Sequence, residues 1–136
     1  MEGPFLCRLP KQADLLQALT SEFSQRGVET GSFFVIGAVT SATMGFYNVF
    51  MREYEVKSFQ GQYEIVSCTG NISRRDGKVF VHAHIILADQ DFKCFGGHLM
   101  EGAHIFAAEL SAFPLSGEAL TRVYDEPTGL FLWSMD

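Results

Sequence analysis

Two histidines, His82 and His84 in Val79-Phe-Val-His-Ala-His-Ile-Ile-Leu-Ala-Asp89, are the residues whose type and spacing best suit chemistry. On a strand, side chains alternate between faces, so residues two apart share a face with Cα atoms about 7 Å apart. Both imidazoles then reach a common cation, while Val81, Ala83, Ile85 and Leu87 turn to the core on the other side. A third histidine, His98, lies 14 residues beyond His84, in Gly96-Gly-His-Leu-Met-Glu-Gly102. The intervening turn decides whether it joins the pair. A three-residue loop, Gln90-Asp91-Phe92, sets His98 opposite His84 on the same face. A two-residue loop pairs it with Ala83 and aims it away, unless a bulge at Gly96-Gly97 restores the register.

Three neutral imidazoles suit zinc, and also nickel, copper or iron. Three protein ligands leave a position open for chemistry and are one short of a closed structural site. In such a site each ligand's second ring nitrogen meets a carboxylate, a carbonyl or water. The same spacing also describes histidines packed in an interior or an interface. Glu64, Glu101 and His104 are the candidate bases or outer acceptors, and each has an ordinary structural role open to it. No phosphate loop, nucleophile elbow or dinucleotide fingerprint occurs.

The elements that must position these residues follow from periodicity. Leu15, Leu16, Leu19 and Phe23 form one stripe of a helix running from Lys11 to Phe23, and Gly27 can end it in the left-handed conformation. After Val28, β-branched and aromatic residues predict strands over Gly31 to Thr43, Phe46 to Phe50, Tyr63 to Ser67, Lys78 to Ala88, Lys93 to Phe95 and Ile105 to Phe113. Asp76-Gly77 and Ala88-Asp-Gln-Asp91 mark hairpin turns. The expected fold class is α+β, a mostly antiparallel sheet with one main N-terminal helix, built as one domain over residues 1–136.

Composition narrows the function classes. Charged residues make up 19% of the chain and aromatics 13%, with 13 phenylalanines. That leaves few charges to cover an exterior, and predicts that apolar surface meets another subunit. The net charge is −6 and no basic stripe exists, which argues against avid DNA binding by the chain alone. Cys7, Cys68 and Cys94 are odd in number and lack C-x-x-C spacing, which predicts buried thiols in a cytoplasmic protein. No apolar run approaches a bilayer span, so no membrane partner is expected. Arg122 and Asp125 are read as an exposed ion pair of small energetic weight.

Nearly the whole chain resembles the plant and prokaryote conserved (PPC) domain. The resemblance rests on Arg8-Leu9 before the helix, Gly31-Ser-Phe-Phe-Val-Ile-Gly-Ala-Val39, Tyr63-Glu-Ile-Val-Ser-Cys-Thr-Gly70 and Asp76-Gly-Lys78. It continues through His82-Ala-His84, Gly96-Gly-His-Leu99, Leu120-Thr-Arg122 and Gly129-Leu130. It implies a homotrimer. Prokaryotic members stand alone and are often described as DNA-binding, whereas plant members add an AT-hook, which this chain lacks. Phe92 stands where the family hairpin commonly carries glycine. More distantly, the fold is similar to acetolactate decarboxylase and to a zinc-dependent ester hydrolase, which hold zinc through a His-x-His strand and a later histidine. The similarity implies His82, His84 and His98 as ligands of a divalent transition metal, zinc first, at or near a trimer interface. Two function classes follow: a metal-dependent binding protein or hydrolase- or lyase-like enzyme, and a DNA-binding or transcription-associated assembly module.

Overall fold

The computed structural model describes residues 3–135. In chain order the elements are β1 (Phe5–Leu9), α1 (Leu15–Gln25), β2 (Gly31–Asn48), β3 (Glu53–Arg75), β4 (Lys78–Ala88), β5 (Cys94–Leu99), β6 (Ile105–Pro114), β7 (Arg122–Asp125) and β8 (Leu130–Trp133). The first six strands form one antiparallel sheet in the order β1-β6-β2-β3-β4-β5. It closes on itself because β2 changes neighbours along its length. Gly31 to Val39 pair with β6, whereas Met44 and Gly45 pair with Leu99 and His98 of β5. A barrel-like closure of this kind leaves fewer free edges than an open sheet. β7 and β8 form a separate hairpin, tied to β3 by a bridge between Arg74 and Thr121. The expected antiparallel α+β architecture is therefore present.

The helix begins later than its apolar stripe suggests. Asp14 is its N-cap: Oδ2 accepts from the Gln17 amide at 3.0 Å, while Oδ1 accepts from Gly102 and Ala103 at 2.7 and 3.0 Å. A side chain that satisfies orphan amides sets the helix start there, and Gln12 before it takes a left-handed φ of 72°. At the other end Gly27 has φ 68°, and the amides of Gly27 and Val28 bond the Ser24 and Phe23 carbonyls. This is a Schellman ending, with Val28 buried. Leu15, Leu19 and Phe23 are fully buried against the face of β4 that carries Val81, Ala83, Ile85 and Leu87. Burying each such side chain stabilises by roughly 1.5–3 kcal/mol.

Three strand forecasts were too short, among them the one over Lys93 to Phe95, where β5 runs on through His98 to Leu99. β2 runs unbroken through Met44 and Gly45, because both are paired with β3 and β5 at once. β3 extends over 23 residues, most of them at least partly exposed, and is held by its ladders with β2 and β4 more than by burial. Ladder pairing does not leave an apolar alternation in sequence.

The β3–β4 turn is Asp76-Gly77, with φ 54° and 75°. The β4–β5 turn is the three-residue alternative. Asp89 and Lys93 close it through Asp89 N–H to Lys93 O at 2.9 Å, and the Asp89 carboxylate accepts from the Asp91 and Lys93 amides. Its last residue, Phe92, sits at φ 63° with its side chain 90% exposed. A non-glycine residue in that region carries strain, and an exposed ring recovers nothing by burial. Phe92→Gly is expected to raise stability by about 1 kcal/mol. Denaturant unfolding checks this, and a lower midpoint for the variant would contradict the strain argument.

Candidate metal centre

The three histidines converge. In β4, His82 and His84 share the face opposite the buried Val81, Ala83 and Ile85. β5 pairs with β4 so that His98 lies directly across from His84, and with β2 so that His98 also lies across from Gly45. Ring centroids are 5.1 Å apart for His82 and His84, 5.2 Å for His82 and His98, and 5.8 Å for His84 and His98. One ring nitrogen from each lies within 4.8 Å of the others.

Glycines make the approach possible. A Cβ on Gly96 would run into the Ile85 carbonyl of β4, and one on Gly97 would stand 2.8 Å from the Gly45 carbonyl of β2. Both are closer than real Cβ contacts allow, so β5 fits between its neighbours only because these two residues lack side chains.

His82 and His98 are half-buried and His84 is exposed. Burial first, then the neighbouring His98, Arg122 and His84, push the His82 imidazole down to about 4. His98 is pushed down by burial, then by His84 and Arg122. These causes all favour neutral rings, the form that ligates a metal. Within the cluster there is no carboxylate or thiolate among the described residues. His98 Nδ1 is buried with no hydrogen-bond partner. A buried imidazole nitrogen left unpaired beside two others is costly in the polypeptide alone, and fits a donor set completed by a cation.

The surroundings differ from those read in the sequence. A cavity of about 320 Å³ opens over His82 and His84, lined also by Thr69, Gly70 and Asn71. Tyr54 of β3 packs its ring 4.8 Å from that of His98. Burial and then Tyr47 push the Tyr54 phenol up, with Arg122 acting the other way. None of the three candidate bases joins the site. Glu64 pairs with Ala88, four residues along β4 from His84, and lines a separate cavity of about 450 Å³ with Asp89 and Asp91. Glu101 lines a groove beside α1 with Leu16 and Phe80. His104 Nδ1 lies 2.8 Å from the Ser41 hydroxyl, which is buried and also bonds the Gly102 carbonyl. That arrangement braces the β5–β6 connection and does not present a nucleophile.

Arg122 and Asp125 do not form the expected surface pair. Arg122 is 8% exposed and donates to Ser73 Oγ, Asn71 Oδ1 and the Phe131 carbonyl at 3.1, 3.0 and 3.2 Å. Asp125 accepts instead from the Thr128 amide and hydroxyl, inside the β7–β8 turn. The pairing of Asn71 with His82 brings Arg122 to the edge of the cluster. The β7–β8 hairpin left no strand signal in the sequence reading, so this connection was invisible there. Of the three free thiols, Cys68 is buried and pushed up to about 12 by that burial, whereas Cys94 is exposed, contrary to expectation.

The Plants and Prokaryotes Conserved (PCC) domain matches residues 1–116. Among solved structures, a metal-containing protein from Archaeoglobus fulgidus is 40% identical with a TM-score of 0.93, over 98% of this chain and 94% of that one. A plant- and prokaryote-conserved (PPC) protein from Pyrococcus horikoshii is 35% identical, with a TM-score of 0.92 over 98% and 92%. A candidate DNA-binding protein from Bacteroides thetaiotaomicron is 28% identical, with a TM-score of 0.91 over 98% and 93%. Comparison with curated proteins yields no match.

The depressed imidazoles carry a pH dependence for metal-free protein. The folded His82 value of about 4 lies below the ordinary 6.5, so between them the unfolded chain binds more protons. Stability is fully present above 6.5, falls as pH drops through that window, and levels off below about 4. Urea unfolding of chelator-treated protein across the window is expected to show this slope, and His82→Gln to flatten it. An unchanged slope in the variant would place the acid sensitivity elsewhere.

Proposed function

Because this chain belongs to the Plants and Prokaryotes Conserved domain family, we propose that it is a metal-dependent ligand-binding protein whose centre is His82, His84 and His98. The observation that carries this reading is the convergence of three imidazole nitrogens within 4.8 Å of one another, in a cluster where His98 Nδ1 is buried and unpartnered. The name of the 40%-identical Archaeoglobus fulgidus protein, metal-containing, supports it. Neutral imidazoles select a divalent transition metal, with zinc the first choice. With three protein ligands, such an ion keeps an open position and supplies Lewis acidity to an oxygen bound there, the basis of hydrolase- or lyase-like chemistry. This chain's own residues hold the ion, pack Tyr54 against His98 and shape the cavity through Thr69, Gly70 and Asn71.

The assembly proposed for it is a homotrimer. Leu6, Phe34, Ile36, Phe106 and Phe113 expose apolar surface, and Val49, Phe50 and Met51 do so at the β2–β3 hairpin. Exposed large apolar side chains in this number fit an interface, and a closed cyclic assembly covers them without polymerising. Protein purified without added metal or a histidine tag is expected to contain one transition-metal ion per chain and to scatter light as three chains. His84→Ala is expected to lose most of the metal while keeping its circular dichroism. Full metal stoichiometry in that variant would overturn the ligand assignment, and a monomer mass would overturn the trimer.

The Bacteroides thetaiotaomicron neighbour favours a second reading, a DNA-associated module. The net charge of −6 opposes it for the isolated chain. Affinity for duplex DNA is expected to stay in the non-specific range, about 10⁻⁴ to 10⁻⁶ M at physiological salt. Nanomolar binding with a steep salt dependence, measured by fluorescence anisotropy, would reverse the preference.

A further inference from the structure

Arg122 is a buried cation without a counterion. Its three hydrogen-bond acceptors, Ser73 Oγ, Asn71 Oδ1 and the Phe131 carbonyl, are all neutral. Among the described residues no carboxylate pairs with it. Its guanidinium lies over the rings of Phe80 and Trp133 at 5.2 and 5.0 Å, and Arg75 lies over Phe131 and Phe80 at 3.6 and 5.7 Å. Five N–H donors serve three acceptors, so Arg122 retains donor capacity. Trp133 beside it has a buried indole Nε1 with no hydrogen-bond partner, a second donor without an acceptor.

These unanswered donors adjoin the histidine cluster. Asn71, which holds Arg122, is the cross-strand partner of His82, and Arg122 is close enough to act electrostatically on His82, His98 and Tyr54. The cluster supplies only neutral ligands, so a divalent ion held there keeps its full charge. Among the described residues, carboxylates neutralise neither that ion nor Arg122. A buried excess of positive charge in a chain whose net charge is −6 needs compensation from outside the polypeptide.

We infer that Arg122, with Trp133 beside it, forms an oxyanion subsite next to the three histidines, and that the ligand of this centre is a small anion bearing a carboxylate or phosphate group. The planar fork of arginine matches two oxygens of either group, and Asn71 and Ser73 fix its orientation before the ligand arrives. The inference rests on the metal-centre reading for its full charge balance, but the arginine's own deficit exists without metal and is testable without it.

The chain has a single tryptophan, Trp133, so its fluorescence reports from beside Arg122. Full-length protein is titrated with inorganic phosphate and with acetate at constant ionic strength, both after chelation and after loading with zinc, and chloride serves as the control. A saturable fluorescence change with one or both oxyanions, absent with chloride, is expected in both forms and at lower concentration in the zinc-loaded one. Whichever oxyanion binds tighter identifies the group. Arg122→Lys is expected to weaken that affinity by about tenfold or more, while metal content by elemental analysis stays at the wild-type level. No saturable response to either anion in either form would overturn the subsite, as would equal affinities in wild type and a folded Arg122→Lys. Should that variant not fold, the wild-type titrations decide alone. Failure of the wild-type protein to take up zinc, with saturable anion binding retained, would count against the metal centre and leave the arginine subsite standing.

Discussion

The constraint on which the site depends is the wedging of β5 between β4 and β2. Every strand pair in a sheet keeps a spacing near 4.8 Å, but at Gly96 and Gly97 a side chain would collide with the backbone of one neighbour or the other. Without that double contact Met44 and Gly45 of β2 would be paired on the β3 side alone, the sheet would stay open, and His98 would lie on a free edge. The register of His98 against His84 is therefore set from both sides, by the three-residue turn at one end of the hairpin and by the β2 ladder across the strand. Closure and site assembly are one event. The helix contributes from the opposite face, where Leu15, Leu19 and Phe23 pack on the apolar alternation of β4 and hold its imidazole face outward.

The electrostatics follow from that geometry. Burial of His82 and His98 favours their neutral form first, and the closeness of the neighbouring imidazoles adds to that bias. Arg122 deepens it. Its presence would be unfavourable next to a set of imidazolium ions, whereas next to neutral rings it is tolerable, held by three acceptors and two aromatic faces. Acidic residues are numerous in the chain, yet they lie elsewhere. Glu64, Asp89 and Asp91 gather around the β4–β5 turn, and Asp14 is occupied with capping α1. The absence of a carboxylate from the cluster among the described residues distinguishes this centre from one built on a histidine–carboxylate pair.

How much of this was legible depended on which physical rule governed each element. Parity governs β4, and the span Lys78–Ala88 and the shared face of His82 and His84 followed directly from period-two alternation. Turn chemistry governed the rest of the triad. Asp89 closes the loop with its carboxylate, and Phe92 adopts the left-handed conformation that the three-residue alternative needs, despite not being glycine. The sequence could pose the two registers but could not choose between them. Most of β3 beyond Tyr63 to Ser67 and the β7–β8 hairpin escaped because cross-strand pairing and a buried arginine hold them, and neither leaves a periodic apolar trace. Arg122 illustrates the limit. Its nearest acidic neighbour in the chain suggested an ion pair, yet its partners Asn71 and Ser73 lie some fifty residues away and are neutral.

Distance in sequence also explains why the apparent catalytic pair misleads. Ser41 and His104 have a hydroxyl and an imidazole 2.8 Å apart, the separation expected of a nucleophile and its base. The Ser41 oxygen, however, is buried, donates to the Gly102 carbonyl and accepts from the His104 amide, so its hydrogen-bonding capacity is committed to the backbone. Asp14 ties the same connection to the helix start, its Oδ1 accepting from the Gly102 and Ala103 amides and its Oδ2 from the Gln17 amide. Ser41, His104 and Asp14 thus fasten the segment that leads out of β5. By contrast, the histidine triad has an unsatisfied buried nitrogen and an open cavity, and the arginine beside it has donors to spare. Satisfied polar groups hold a structure in place; unsatisfied ones that converge on a common space mark where a ligand completes it.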